Sequence, residues 1–188
     1  MPVLHAVFID LKPQADPVPV LEAARALRDA PGVLAGGSVR GDAPGSTHHV
    51  GLWVLLPGRP ALDTFGASEP LMRFLREALA PSLARMESGD FEVATLPAGG
   101  AAVLMFAAVA LRGVFAWQWT RAAATLPAGA SAGPSGGERS PFDFGGVVPF
   151  AAGADLDDWL VGWPGEIGPL ASSLVRVAGH AERWEAAP

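Results

Sequence analysis

The sequence predicts an α+β fold in which two tandem βαββαβ units, each of roughly 90 residues, pack into one intramolecular barrel. The first observation is an internal repeat, because Leu62 and Pro70 recur as Leu156 and Pro164, 94 residues later in both cases. Strand and helix patterns also follow one another in the same order in both halves. Finally, helices on one side of a sheet leave its other face apolar and bare, and a second copy of the sheet can cover that face.

A shorter match supports the repeat. Ala35–Ser38 (AGGS) is answered by Ala132–Ser135 (AGPS), at an offset of 97 residues. The division falls near Pro97–Gly100, which gives one unit over residues 1–96 and a second, diverged unit over 101–188. A chance match is the alternative, since Ala, Gly, Pro and Leu are frequent in this chain.

Each element of the first unit has a local signal. An apolar run rich in branched residues predicts the first strand, and Asp16 with Pro17 starts the first helix. Ser68 and Pro70 break the second helix and restart it. The predicted elements are a strand over 3–11, a helix over 17–30, strands over 33–40 and 48–56, a helix over 61–80 and an edge strand over 86–93.

The second unit repeats this order with weaker signals. Its predicted elements are a strand over 103–111, a helix over 114–126, strands over 130–135 and 142–150, a helix over 156–174 and a strand over 175–184. The composition of residues 133–140 is typical of a mobile loop. A βαββαβ unit forms a four-stranded antiparallel sheet with both helices on one face, which is the ferredoxin-like arrangement.

Charge and composition exclude several partners. The net charge is −6 and no Lys/Arg cluster is present, which argues against nucleic acid. Cysteine is absent, so disulfides and thiolate chemistry are excluded. The apolar run over 101–111 is shorter than the roughly 20 residues that cross a bilayer, and no signal peptide pattern opens the chain. We therefore expect a cytoplasmic protein with no membrane partner.

Four segments of the first half carry a family resemblance: residues 3–13 (VLHAVFIDLKP), 47–50 (THHV), 68–70 (SEP) and 89–91 (GDF). With these segments, residues 3–93 resemble the stress-responsive A/B barrel (Dabb) family of dimeric α+β barrels, and the second half is similar to a degenerate copy. The resemblance implies a cavity for a small-molecule substrate between the helices and the sheet. We expect a monomer or a weak homodimer, because the internal copy occupies the family's dimer surface.

The same resemblance implies several activities. The best-understood enzymes of the family are cofactor-free polyketide cyclases of the olivetolic acid cyclase type, and related barrels include cofactor-free monooxygenases and haem proteins. The strand histidines of the cyclase match His5 and His48. Its helix histidine falls on Met72, or on Glu166 in the second half, and its tyrosine has no counterpart because the chain contains no tyrosine. Any acid/base chemistry must therefore use other groups.

His5 and Glu166 are the leading acid/base candidates, and His48 is the third. His5 shares a strand face with Val7 and can reach a ligand as a base; the alternative is a core histidine bonded to a backbone carbonyl. Glu166 follows a proline at a helix start, where its ionised form is favoured; the alternative is an ordinary first-turn carboxylate. His48 and His49 point to opposite faces, and His48 is the better candidate unless it is a solvated loop residue. A direct His5–His48 dyad is not expected.

Tryptophan predicts the binding site. Five of the six tryptophans lie in the second half, and Trp159 and Trp163 are spaced to share one helix face. We therefore expect the pocket mainly in the second half, with Trp159 and Trp163 facing Trp117 or Trp119; the alternative is that these indoles fill the core. The other candidates for substrate contact are Arg40, Arg121 and Met72, with surface positions as the alternative for both arginines.

No metal or haem is expected to be required. His180 is the only histidine of the second half, and Asp155, Asp157 and Asp158 suit helix capping better than metal binding. The sequence predicts a cofactor-independent cyclase, or a related lyase or isomerase, acting on a small apolar intermediate of polyketide type. Two alternatives stay open: a non-catalytic ligand-binding or stress-response protein, and a cofactor-free monooxygenase. Oxygen uptake would identify the monooxygenase.

Overall fold

The computed structural model describes residues 1–136, 140–162 and 170–185, with the backbone alone at 161 and 162. The first unit has the predicted βαββαβ order, and its second helix is broken at Ser68 as predicted. Its elements are β1 (Val3–Leu11), α1 (Val18–Ala24) with a 3-10 extension (Arg25–Asp29), β2 (Ala35–Arg40), β3 (Val50–Leu56), α2 (Pro60–Gly66), α3 (Glu69–Arg73) with a π-helical extension (Phe74–Leu79), and β4 (Leu83–Glu92).

The second unit follows the same order. Its elements are β5 (Ala102–Ala110), α4 (Ala116–Ala123), β6 (Ser131–Pro134), β7 (Phe144–Phe150), α5 (Gly153–Gly162) and β8 (Ala171–Glu185). The prediction of a helix as far as Leu174 is wrong at its end, because β8 begins at Ala171. Leu174 pairs with Ala108 of β5. Long-range strand pairing here overrides the local pattern that favours a helix.

The eight strands of the described residues form one antiparallel sheet, in the order β4-β1-β3-β2-β8-β5-β7-β6. The first four and the last four strands of this order have the same arrangement within each unit. Each unit also has an irregularity in register at the same place, between Asp10 and Leu11 in β1 and between Val109 and Ala110 in β5. The structure therefore supports a duplicated unit.

An equivalent side-chain hydrogen bond is found at each of the two register irregularities. The Leu11 N–H donates to His49 Nδ1 at 3.2 Å, and the Ala110 N–H donates to the Asp143 carboxylate at 2.7 Å. The two acceptors occupy equivalent positions, since the backbone N–H groups of His49 and Asp143 donate to Ile9 and Ala108 at equivalent points. His49 therefore serves the fold by satisfying a backbone donor.

The strand register corrects one part of the sequence repeat. Gly37 lies opposite Trp53 in the first unit, and Ser131 lies opposite Val147 in the second. These pairs are equivalent at an offset of 94 residues, so the AGGS and AGPS segments, matched at 97, do not superpose. Their similarity reflects the high frequency of Ala and Gly in this chain.

The two units are joined along two seams within one chain. At the first seam β8 leaves β5 and pairs with β2, from Ala181 opposite Val39 to Glu185 opposite Ala35. Gly179, at φ 150°, lies where this change of partner occurs, and an L side chain would be strained there. At the second seam the Gly136 N–H donates to the Asp90 carbonyl at 3.0 Å. The predicted α+β barrel is thus confirmed.

Strand alternation divides the core into three parts. The barrel interior contains side chains of both units, among them Phe8, Trp53, Phe91, Met105 and Val147. The opposite face of the sheet packs against the helices of each unit, and Trp184 of β8 joins the helix-side core of the first unit. No helix in the described part of the chain is long and apolar enough to span a membrane.

Candidate active site

A cavity of about 350 Å³ lies between the sheet and the helices of the first unit. Its helix side is apolar and is formed mainly by Leu62, Phe65, Leu71, Phe74, Leu75 and Leu79. The acidic, basic and hydroxyl groups that line it belong to the sheet: His5 from β1, and Ser88 and Asp90 from β4. The volume is within the range of small-molecule sites, roughly 300–1,000 Å³.

Strand periodicity places these polar groups on the cavity wall. Leu4 and Phe8 point into the barrel interior, so His5 points to the helices. In β4, Ser88 and Asp90 are two residues apart and share one face. The antiparallel register sets His5 directly opposite Asp90. Two residues that are 85 positions apart in the chain are therefore neighbours across one strand pair.

His5 and Asp90 form a close pair. His5 Nδ1 lies 2.6 Å from Asp90 Oδ1, a distance typical of a charge-assisted hydrogen bond. Both side chains keep part of their surface accessible, 24% for His5 and 30% for Asp90. The edge of the His5 ring also contacts Phe65, with ring centroids 5.9 Å apart. The carboxylate and the phenyl ring together fix the orientation of the imidazole.

This arrangement suits proton transfer. When the Nδ1–H donates to the Asp90 carboxylate, the neutral imidazole carries its free lone pair on Nε2. The carboxylate then stabilises the imidazolium that forms when Nε2 accepts a proton. An apolar cavity beside such a base can hold an organic molecule while its acidic proton is removed.

Sequence reasoning named His5 but not Asp90 as a candidate site residue. Asp90 belongs to the GDF segment that contributes to the family resemblance, and it alternates in phase with Ser88. Its role follows only if the last strand of the unit is placed beside the first with the observed register. The alternative for His5, a bond to a backbone carbonyl, is replaced by the bond to Asp90.

The structure places His48 away from the cavity, on the side of the barrel interior. His48 is 3% exposed, and the centroid of its ring lies 5.9 Å from that of Phe8. Nδ1 is 2.9 Å from Thr47 Oγ1, and Nε2 is 3.4 Å from the Arg85 guanidinium. Burial lowers the pKa of His48, although Asp10 opposes this effect. His48 is therefore a buried neutral histidine and does not share a site with His5.

None of the described tryptophans of the second half lines this cavity. Trp119 is buried and stacks on Phe144 at 4.9 Å, whereas Trp117 is 62% exposed. Trp159 packs against Phe150, with ring centroids 5.6 Å apart. Trp163 and Glu166, two further candidates, lie outside the described residues.

The remaining candidates also lie apart from the cavity lining. Met72 is 45% exposed, and its neighbour Leu71 contacts the cavity instead. Arg121 borders a shallow depression beside Trp117, and Arg40 borders another on the far side of α1.

The structure bears on two candidates for metal binding. The Asp155 carboxylate accepts a hydrogen bond from the Ala152 N–H at 3.1 Å, as expected for helix capping. His180 is exposed, with Nδ1 3.3 Å from the Asp42 carboxylate. Within residues 1–136, 140–162 and 170–185, no group of three His, Asp or Glu side chains is placed to hold a metal ion.

Comparison with known proteins gives the fold. No protein-family model and no curated protein matches the chain. Among solved structures, a putative monooxygenase from Lactobacillus acidophilus NCFM is similar with a TM-score of 0.62 and 17% identity, covering 97% of this chain and 93% of that chain. An anthrone oxidase-like protein is similar with a TM-score of 0.62 and 10% identity, covering 100% of this chain and 94% of that chain.

A Dabb family protein with a ferredoxin-like fold from Mesorhizobium loti MAFF303099 covers 50% of this chain and 98% of that chain, with 17% identity and a TM-score of 0.43. The two whole-chain similarities, at 10% and 17% identity, show the fold alone. The chain therefore has the ferredoxin-like α+β barrel fold over its whole length.

Proposed function

We propose that this protein is an enzyme that removes a proton from a small, largely apolar organic molecule bound in the cavity of the first unit. The observation that carries the proposal is the 2.6 Å pair of His5 and Asp90 on the wall of a largely apolar cavity. His5 Nε2 is the base, and Asp90 is the positioning residue that fixes the ring and stabilises its protonated form. The low polarity around the base strengthens this electrostatic support.

Cofactor-independent oxygenation is the reaction class that we propose. Whole-chain fold similarity to a putative monooxygenase and to an anthrone oxidase-like protein supports this choice over the polyketide cyclase. In the oxidation of an anthrone-type ring, removal of the hydroxyl proton of its enol tautomer gives an enolate, and the ring carbon that is the CH₂ of the keto form then reduces O₂. The following bond balance is counted from the keto form. Two C–H bonds break and one C=O bond forms. One oxygen atom stays in the product, and the other leaves as water with both substrate hydrogens.

Oxygen uptake with anthrone tests the proposal, with quinone formation followed by absorbance. We expect one O₂ consumed for each quinone formed, without added flavin and after dialysis against a chelator. Asp90→Asn should lower kcat by about tenfold or more with little change in KM, because the carboxamide no longer fixes the tautomer of His5. Glu92→Gln is the matched control, since Glu92 is a β4 carboxylate paired with Arg59 and not with His5.

The outcome also separates the alternatives from the sequence. A cyclase or isomerase would convert its substrate without consuming oxygen, and a binding protein would retain its ligand without converting it. Either result, obtained with folded protein that carries both His5 and Asp90, would contradict the oxygenase proposal.

A further inference from the structure

The polar groups of the cavity are distributed unevenly, and this distribution bears on the ligand. The helix side presents apolar side chains, from Leu62 to Leu79. The sheet side presents His5, Ser88 and Asp90 along two adjacent strands. A ligand that places an oxygen atom against the helices would bury it without a partner, which is unfavourable. The complementary ligand therefore has its oxygen atoms along the sheet side only.

Of the three polar side chains His5, Ser88 and Asp90, Ser88 has no role in the proton-transfer step. It lies two residues before Asp90 on the same face of β4 and pairs with Val7 of β1. Within the described part of the chain, its hydroxyl has no hydrogen-bond partner. A hydroxyl that faces an apolar cavity can both donate to and accept from a ligand oxygen.

The register of β1 and β4 fixes the distance between Ser88 and His5. Because His5 is opposite Asp90, Ser88 is its diagonal neighbour across the strand pair. Diagonal neighbours of this kind are about 7–8 Å apart. Two polar anchors at this spacing match two oxygen substituents on one edge of a fused-ring molecule.

We infer that Ser88 is a second ligand anchor, and that the substrate class is a fused aromatic or polyketide-type ring system with two oxygen substituents on one edge and a bare hydrocarbon edge opposite. This inference rests on the proposed function. His5 contacts the oxygen that loses its proton, and Ser88 hydrogen-bonds the second oxygen. The apolar side chains of the helices cover the bare edge.

Two isomeric probes test the inference by calorimetry, without turnover. In 2,7-dihydroxynaphthalene both hydroxyls lie on one edge, whereas in 2,6-dihydroxynaphthalene they lie on opposite edges. The wild-type protein should bind the 2,7 isomer about 3- to 10-fold more tightly, since one additional hydrogen bond accounts for a difference of this size. Ser88→Ala should remove the preference by weakening the 2,7 isomer alone. Ser173→Ala, an exposed serine of β8, should keep it.

Equal binding of the two isomers by the wild type would overturn the inference, as would a preference that persists in Ser88→Ala. Absence of binding by either isomer would overturn it as well. Oxygen uptake with anthrone decides separately whether the proposed function stands, because a cavity can oxidise a substrate without distinguishing these isomers. A melting temperature of Ser88→Ala equal to that of the wild type shows that the variant is folded.

Discussion

The two halves of the chain share one backbone plan but differ at the point where the first half holds its polar pair. In the first unit, β1 and β4 place His5 opposite Asp90. In the second unit, the equivalent positions of β5 and β8 are Leu104 and Ala178, which are fully buried. One copy thus has an accessible acid/base pair, and the other has two apolar side chains in its core.

The helix-covered faces differ in the same sense. The first unit leaves a cavity beside His5, although Phe65 and Phe74 pack nearby. In the second unit, large aromatic side chains pack together on this face, and Trp119 stacks on Phe144. Of the two described copies, the first thus combines a cavity with an acid/base pair, and the second has an apolar core at the equivalent positions. The cavity therefore favours a ligand site in the first half, whereas the tryptophan distribution predicts a pocket in the second half.

The largest change in stability is expected at Leu104, the second-half residue that is equivalent to His5. Leu104→Ala should lower the free energy of unfolding by about 2–5 kcal/mol, because Leu104 is fully buried and its truncation leaves a cavity. Chemical denaturation followed by circular dichroism measures this change. A loss below 1 kcal/mol, on the order expected of a surface position, would show that the second unit is not a tightly packed core at this point.

The equivalent change in the first half should affect catalysis instead. His5→Ala should lower turnover of anthrone by about 10²-fold or more, which is the usual contribution of a general base. Its melting temperature should stay close to that of the wild type, since His5 is partly exposed. A lower melting temperature with unchanged turnover per folded molecule would instead identify His5 as a structural residue.

A smaller effect is expected at His48, which is equivalent to the buried Phe142; both rings flank Phe8. Burial lowers the pKa of His48, with Asp10 and Glu87 acting against this and Arg85 and His49 acting with it. The unfolded chain therefore binds more protons just below the ordinary pKa of 6.5.

It follows that stability should fall as the pH drops below about 6.5, by at most about 1.4 kcal/mol per pH unit from this group. His48→Phe, which copies the second half, should flatten this dependence, whereas the exposed His180→Gln should leave it unchanged. Melting temperatures measured between pH 5 and 8 compare the three proteins. A wild-type profile without this decline, or one that His48→Phe does not change, would contradict the prediction.

The smallest effect is expected at Trp163. If the ligand binds in the first unit, Trp163→Ala should change the affinity for 2,7-dihydroxynaphthalene by less than about twofold, because the described lining of that cavity comes from the first unit alone. Calorimetry should also give one ligand per chain. Loss of binding in this variant with the fold intact would place the site in the second half, where Trp159 and Trp163 were expected to form it.

Much of the fold follows from local signals in the sequence. Asp16 accepts a hydrogen bond from the Val18 N–H at 2.9 Å at the start of α1, and Pro70 lies in the first turn of α3, where its fixed backbone angle favours the helix. Both effects act over one or two turns. Ser68 precedes α3 without a side-chain capping hydrogen bond. Strand alternation in the same way places His5 on the helix side of β1. The βαββαβ order and the tandem barrel could therefore be predicted from the sequence.

Only the tertiary structure decided which residues meet. Asp90 becomes the partner of His5 because β4 pairs with β1 in one register, and a shift of one residue would turn its carboxylate to the other face. Ala171–Leu174 became strand rather than helix through pairing with β5. The position of the cavity depended on how completely each set of helices fills its face of the sheet. Local propensity acts between chain neighbours, whereas register and packing are set by contacts between residues distant in sequence, and for this reason the sequence determined the elements and the tertiary structure determined the site.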